Sequence, residues 1–243
     1  MNKQPTRDTP ILSKLQQPFV AALPIIAGYI VLGIPCGILG QQAGMNLLQI
    51  ALMSLLFYSG AGQYLIPNMM IAGSPLASII LSVSLINSRQ ILYGAALSRF
   101  TENTGKRLSF LFAATVTDES FGVNLDRFSR DSTWNVKKAT GVNLLSHLSW
   151  ISANIAGALL GSLLSVPVAL ASFTMTSIFL CLLFMQKFSR ASTAGVIAAV
   201  LGVLLCKLIG LSGPAIFLGA LCGIAAAMLV STLQNKSAEK STL

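Results

Sequence analysis

Eight long apolar stretches follow one another along the 243 residues and leave little chain for anything else. They run at about 19–40, 46–73, 75–99, 108–126, 139–164, 167–186, 192–210 and 213–233. A helix that crosses a bilayer needs about 20 predominantly apolar residues, so each stretch is a candidate span. Barrel strands instead alternate apolar and polar positions over about ten residues; these stretches are apolar on every side for longer than that. The predicted fold class is therefore all-α, a polytopic membrane helix bundle. Composition agrees, because only 9% of the residues are charged and 54% are hydrophobic. A soluble domain carries about 25% charged residues, so a water-facing surface could not be covered here. Lipid does the covering.

The net charge of +9 raises the question of nucleic acid, and the placement of the charges excludes it. Lys3, Arg7 and Lys14 precede the first stretch; Arg99, Lys106 and Arg107 share one gap; Arg127, Arg130, Lys137 and Lys138 share the next. Lys187 and Arg190 flank a later stretch, and Lys236 and Lys240 lie in the tail. Basic residues confined to gaps and ends mark cytoplasmic loops, whereas a nucleic-acid surface gathers them on one face with stacking aromatics. The connections at 41–45, 165–166 and 211–212 lack charge and fit the outer face. This gives a cytoplasmic tail at 1–18, one transmembrane domain at 19–233 and a cytoplasmic tail at 234–243. The first stretch is long and holds Pro24 and Pro35, so it reads as an uncleaved span and not a secretory signal.

Two threadings satisfy these signals. If all eight stretches cross, the gap with Arg99, Lys106 and Arg107 falls outside. If segments 2 and 4 are broken and re-entrant, near Gly60 and Gly62 and near Asp118, six crossings remain and every basic gap is internal. Broken backbone at membrane depth is tolerated where protein or a water-filled cavity surrounds it. Pro67, which follows the glycines, also favours a break before it, since proline lacks the N–H and disfavours a helical predecessor.

Three polar clusters lie inside apolar stretches and lack an inexpensive explanation. The first is Tyr58-Ser59-Gly60-Ala61-Gly62-Gln63-Tyr64. Two glycines weaken a helix there, and transporters use half-helix ends to hold substrate carboxylates and cations. A small-residue packing surface with Gln63 bonded to a neighbour is the structural alternative. The second is Asn87-Ser88-Arg89-Gln90; Arg89 lies about 15 Å along a helix from Arg99, and charges at such depth are functional by default. A helix-locking ion pair is the alternative. The third is Thr117-Asp118-Glu119. Neighbouring carboxylates point about 100° apart on a helix, so one can neutralise Arg89 while the other binds an ammonium group or carries a proton; a helix end near water that holds both is the structural alternative. The candidate substrate-binding residues are therefore Ser59, Gly60, Gly62, Gln63, Asn87 and Arg89, with Asp118 and Glu119 for proton coupling or ion pairing.

The remaining signals are weaker. His147, the one histidine, lies near Trp150 and reads first as a packing residue. Lys207 can snorkel. Cys36, Cys181, Cys206 and Cys222 form no CxxC pair, so neither a disulfide framework nor a metal site nor a cofactor is implied. Gly157 with Gly161, and Gly219 with Gly223, have the spacing of close helix contacts; internal packing is the first reading and a homo-oligomer seam the second.

The motifs resemble the AzlC family, the large subunit of bacterial branched-chain amino-acid exporters. The resemblance rests on YSGAGQY at 58–64, on Arg89 followed by Ile91-Leu92-Tyr93-Gly94, and on Thr117-Asp118-Glu119 with Phe121, and runs from about 19 to 233. It implies a bacterial inner-membrane protein with cytoplasmic termini. It further implies export of valine, leucine, isoleucine and methionine, driven by the proton-motive force, with a small AzlD-type membrane subunit as partner. Family members often carry histidine where this chain has Gln90 and aspartate where it has Asn87, which leaves Asp118 and Glu119 as the proton candidates. The rival readings are an intramembrane enzyme using Ser59 with His147, and a passive channel or scaffold subunit. A nucleotide-binding GxxxxGK[ST] loop is absent from the sequence.

Overall fold

The computed structural model describes residues 11–164, 166–185, 188–211 and 215–241. Residues 1–10 of the expected N-terminal tail, Lys187, and parts of the connections at 165–166 and 211–212 lie outside the described residues. Among the described residues the regular structure is entirely helical, as the apolar pattern requires. The helices are α1 (Ile11–Gln42), α2 (Leu47–Leu56), α3 (Gly60–Ile71), α4 (Leu76–Asn87), α5 (Arg89–Leu97), α6 (Lys106–Ala114), α7 (Asp118–Arg130), α8 (Val136–Leu163), α9 (Val168–Met185), α10 (Arg190–Leu208) and α11 (Ala215–Ser241). Among the described residues four spans are long and apolar enough to cross a bilayer: Gln16–Gln42, Leu76–Phe100, Val136–Leu163 and Arg190–Leu208.

The second and fourth stretches are broken, as expected from their polar clusters. Stretch 2 divides into α2 and α3, and stretch 4 into α6 and α7. At about 1.5 Å per residue none of these four pieces alone reaches across the roughly 30 Å hydrocarbon core. Two details differ from expectation. Pro67 does not break the chain but sits within α3, because the backbone has already been interrupted ten residues earlier. Stretch 3 is not one regular helix; it is interrupted at Ser88, so Arg89 opens α5 and does not lie in mid-helix.

The chain divides into two compact units: residues 1–67 with 87–174, and residues 68–86 with 175–243. In the first unit α1 lies against α8 along a seam of small residues. A Cβ on Gly37 would collide with the Asn154 carbonyl oxygen, and one on Gly157 with the Ile34 carbonyl oxygen. A Cβ on Gly33 would collide with the Ala153 Cβ, and one on Gly161 would lie 3.2 Å from the Ile38 Cα. The backbones can approach this closely only because the Cβ atoms are missing. Gly44, with φ +86°, ends the turn after α1. Asn46 then caps α2 in a reciprocal box with Gln49. In the second unit α10 and α11 repeat the small-residue packing. A Cβ on Gly202 would lie 3.1 Å from the Gly219 Cα, and one on Gly195 3.0 Å from the Gly223 carbonyl oxygen. Both GxxxG motifs thus serve packing within the chain.

Candidate functional site

The break between α2 and α3 falls at Phe57-Tyr58-Ser59, just before the expected glycines, and Gly60 opens α3. Side chains set its position. The Ser59 Oγ accepts the Gly62 N–H at 3.1 Å, as a helix cap does. Gly62 serves space here, since a Cβ would come within 2.7 Å of the Phe57 ring. Gln63 is completely buried. Its amide nitrogen donates to the carbonyls of Met53, at 3.0 Å, and Phe57. Its amide oxygen accepts the Trp150 indole N–H at 2.7 Å and the Ser54 hydroxyl at 3.4 Å. One glutamine therefore ties both halves of the break to α8. His147 adds a second tie, with Nε2 2.9 Å from the Ser54 carbonyl oxygen.

The break between α6 and α7 is built the same way. Thr117 caps α7 in a reciprocal box with Ser120. The Asn143 amide donates to the Phe112 carbonyl at 3.2 Å and the Thr115 hydroxyl at 3.3 Å, and its oxygen accepts from Asn124 at 2.9 Å. Asn143, His147 and Trp150 stand at i, i+4 and i+7, which is one face of α8. That face reaches both breaks: His147 meets the Ser54 carbonyl, and Asn143 adds a bond to the Phe112 carbonyl, which also accepts the Thr115 N–H. Such groups must find partners inside a membrane protein.

Between the two breaks the three sequence clusters meet. The Arg89 guanidinium pairs with Asp118 at 2.8 Å, and the Tyr93 hydroxyl donates to the same carboxylate. Glu119 takes a different neighbour, as the angle between adjacent helical positions requires: its Oε2 accepts the Tyr29 hydroxyl at 2.7 Å. That hydroxyl also lies 2.7 Å from the Thr117 Oγ1. The Ser59 hydroxyl donates to the Asn87 Oδ1 at 2.6 Å, and the Gln90 amide donates to the Tyr58 carbonyl at 3.4 Å. Rings close the surroundings: Tyr58 stacks on His147 with centroids 3.9 Å apart, and Tyr29 meets Trp150 edge-on at 5.2 Å. Both carboxylates lie in the first turn of α7, where the helix dipole favours negative charge. The pair is not sealed, since the Arg89 and Asp118 side chains keep 32% and 27% of their exposure. Glu119 is exposed.

A serine–histidine nucleophile pair is not assembled here. The Ser59 oxygen is engaged with Asn87 and Gly62, and the bonded histidine nitrogen lies against the Ser54 carbonyl. Three participants were missed in the sequence reading. Tyr29 gives no sequence signal beyond being a polar tip in an apolar run. Asn143, and Asn154 with its amide donating to the Trp150 carbonyl at 2.9 Å, however, continue the 3.6-residue stripe through His147 and Trp150, and that periodicity was available.

Comparison with known proteins gives a consistent answer. The family described as AzlC protein matches residues 24–164. The inner membrane protein YgaZ of Escherichia coli is 30% identical over 224 residues, covering 88% of this chain and 89% of the relative. The branched-chain amino acid transport protein AzlC of Bacillus subtilis is 25% identical over 245 residues, covering 99% and 93%. An uncharacterized membrane protein of Helicobacter pylori is 29% identical over 181 residues, covering 74% and 78%. No solved structure matches. By these matches the chain belongs to the AzlC family of membrane proteins.

Proposed function

We propose that this protein is a secondary transporter that exports branched-chain amino acids, and methionine, across the bacterial inner membrane. In this reading it acts as the large subunit beside a small AzlD-type membrane subunit, with both termini in the cytoplasm, and it is not an enzyme. The observation that carries the proposal is the half-open Arg89–Asp118 pair beside Glu119, between two helix breaks. A zwitterion presents one carboxylate and one ammonium group, and this constellation offers a partner to each. The kinship with a protein named for branched-chain amino acid transport supports the substrate class.

The roles divide by geometry. Asp118 holds Arg89 until the substrate carboxylate takes over the guanidinium, a planar fork suited to bidentate carboxylate binding. Ser59, Gly60 and Gly62 form the start of α3 that faces this exchange, and Asn87 fixes Ser59. Gln63 is wholly engaged within the protein, so its contribution is to hold the broken backbone in place. Glu119 accepts from Tyr29 through Oε2, leaving Oε1 for an ammonium group or a proton. Competition between those two at one carboxylate gives antiport: proton entry expels the substrate, and substrate arrival expels the proton.

The test is efflux of labelled leucine, valine and methionine from preloaded cells that lack their own exporters. The chain is expressed with and without an AzlD-type subunit. Efflux that needs the small subunit and stops with an uncoupler is the expected result. Retention of all three amino acids with both subunits present would refute the assignment.

A further inference from the structure

A second constellation lies away from this network, where α1 begins its apolar run and α7 gives way to α8. Gln16 and Gln17 of α1, Arg127 at the end of α7, and Asp131 and Trp134 of the connection line one concave pocket. A second depression, lined by Ala21, Pro24, Gly122 and Val123 among others, adjoins it, and Val20 and Arg127 line both. Both depressions lie along α1, whose stretch from Gln16 to Gln42 is apolar and long enough to cross a bilayer. Lys138 stands 6.0 Å over the Trp134 ring, and Arg130 and Lys137 are near neighbours of that ring in sequence. Basic residues with tryptophan mark the membrane–water boundary. From Gln16 to Pro24 the groove runs about 12 Å along α1, from the end near Trp134 into the apolar run of that helix.

The chemistry of its two ends differs. At the polar end the Arg127 guanidinium stands 5.6 Å over the Trp134 ring and, among the described residues, takes part in no ion pair. Asp131 accepts from the Thr133 hydroxyl at 2.7 Å and its backbone N–H at 2.8 Å, both through Oδ1. Those bonds hold its carboxyl below the usual range, so it is ionised at neutral pH. At the end richer in apolar side chains Pro24, Gly122 and Val123 line the depression together with Asp126, whose carboxylate is paired with Arg130 at 2.7 Å, and a Cβ on Gly122 would meet nothing within 4 Å. A glycine weakens a helix, and no close packing explains this one. Its absent side chain leaves the groove open.

The geometry points to a phospholipid site for a zwitterionic headgroup with a primary amine: the phosphate on Arg127 and the Gln16 and Gln17 amides, the ammonium on Asp131, and an acyl chain along Val20, Pro24, Gly122 and Val123. Charge complementarity selects this occupant. A purely anionic headgroup would meet the Asp131 carboxylate without a cation to offer it. A choline headgroup has no N–H to give that carboxylate. A soluble phosphate ester would leave the apolar end empty.

The test is lipid binding to the purified full-length chain in detergent, read by native mass spectrometry and by thermal unfolding. The probes are phosphatidylethanolamine, phosphatidylglycerol, phosphatidylcholine and soluble glycerophosphoethanolamine. Phosphatidylethanolamine should bind saturably and about tenfold more tightly than the other two lipids, for the loss of one charge-assisted contact. Arg127→Gln and Asp131→Asn should each remove that preference. Gly122→Trp should block the acyl chain while Gly122→Ala keeps binding, a pair that separates a filled groove from a damaged fold. Equal binding of all three lipids, or preference unchanged in both charge variants, would overturn the proposal. Glycerophosphoethanolamine binding as tightly as the lipid would overturn it in favour of a soluble ester. If lipid has no effect and Gly122→Trp instead releases a co-purified small subunit, the groove is a protein interface and the proposal fails.

Discussion

Removing the two members of the Arg89–Asp118 pair singly and together separates a structural ion pair from a substrate site. Two unit charges 4 Å apart interact by about 4 kcal/mol at an effective dielectric of about 20. The side chains here keep 32% and 27% of their exposure, so screening lowers that figure. Exposed pairs contribute about 0–1 kcal/mol, while stranding one charge of a buried pair costs about 3–5 kcal/mol. A half-open pair falls between these limits, and the coupling energy of a double-mutant cycle should be about 1–2 kcal/mol. The variants are Arg89→Gln, Asp118→Asn and the double change, unfolded by denaturant in mixed micelles, with leucine efflux measured alongside. Each single change should destabilise the protein, and the double change should cost less than their sum. Efflux should fail in Arg89→Gln and fail again in the double variant, because the guanidinium that receives the carboxylate is gone. Recovery of efflux in the double variant would refute this reasoning and reduce Arg89 to a helix lock.

Other consequences follow from the same contacts. Gln63→Leu strands the buried Trp150 indole N–H and should cost about 1–3 kcal/mol, read by thermal unfolding; an unchanged midpoint would mean Gln63 does not hold the break. Gly157→Ala drives a Cβ into the Ile34 backbone and should cost about 1–3 kcal/mol. Gly28→Ala meets open space in the same helix pair and should stabilise by about 0.5–1 kcal/mol; the opposite order would contradict the seam. His147→Phe keeps the ring on Tyr58 and loses only the bond to the Ser54 carbonyl, so efflux should slow while its dependence on the proton gradient persists. Loss of that dependence would make His147 a proton carrier.

Helix class and the two breaks were legible because they depend on local chemistry: apolar length, and polar or small residues where a lipid-facing helix tolerates neither. The convergence of Ser59, Arg89, Asp118 and Glu119 was legible in part, since unpaired charges inside a span must find one another. The sharing of roles between adjacent carboxylates followed from helix geometry alone. What the sequence concealed was tertiary. Gln63 looks like a ligand for a solute until its four contacts with Met53, Phe57, Ser54 and Trp150 are seen. Pro67 looks like a breaker, but a break ten residues before it had already relieved the helix. Tyr29 acts through a hydroxyl that reaches across 90 positions to Glu119, and no local pattern signals such a reach.

The most direct test of the account is equilibrium binding to the purified protein of three molecules that share one side chain. Leucine has both charged groups, leucine amide lacks the carboxylate, and 4-methylpentanoate lacks the ammonium group. Leucine should bind at least tenfold more tightly than either, with Arg89→Gln erasing its advantage over the amide and Glu119→Gln its advantage over the acid. Equal binding of all three, or an advantage untouched by both substitutions, would show that Arg89 and Glu119 do not receive the two ends of an amino acid.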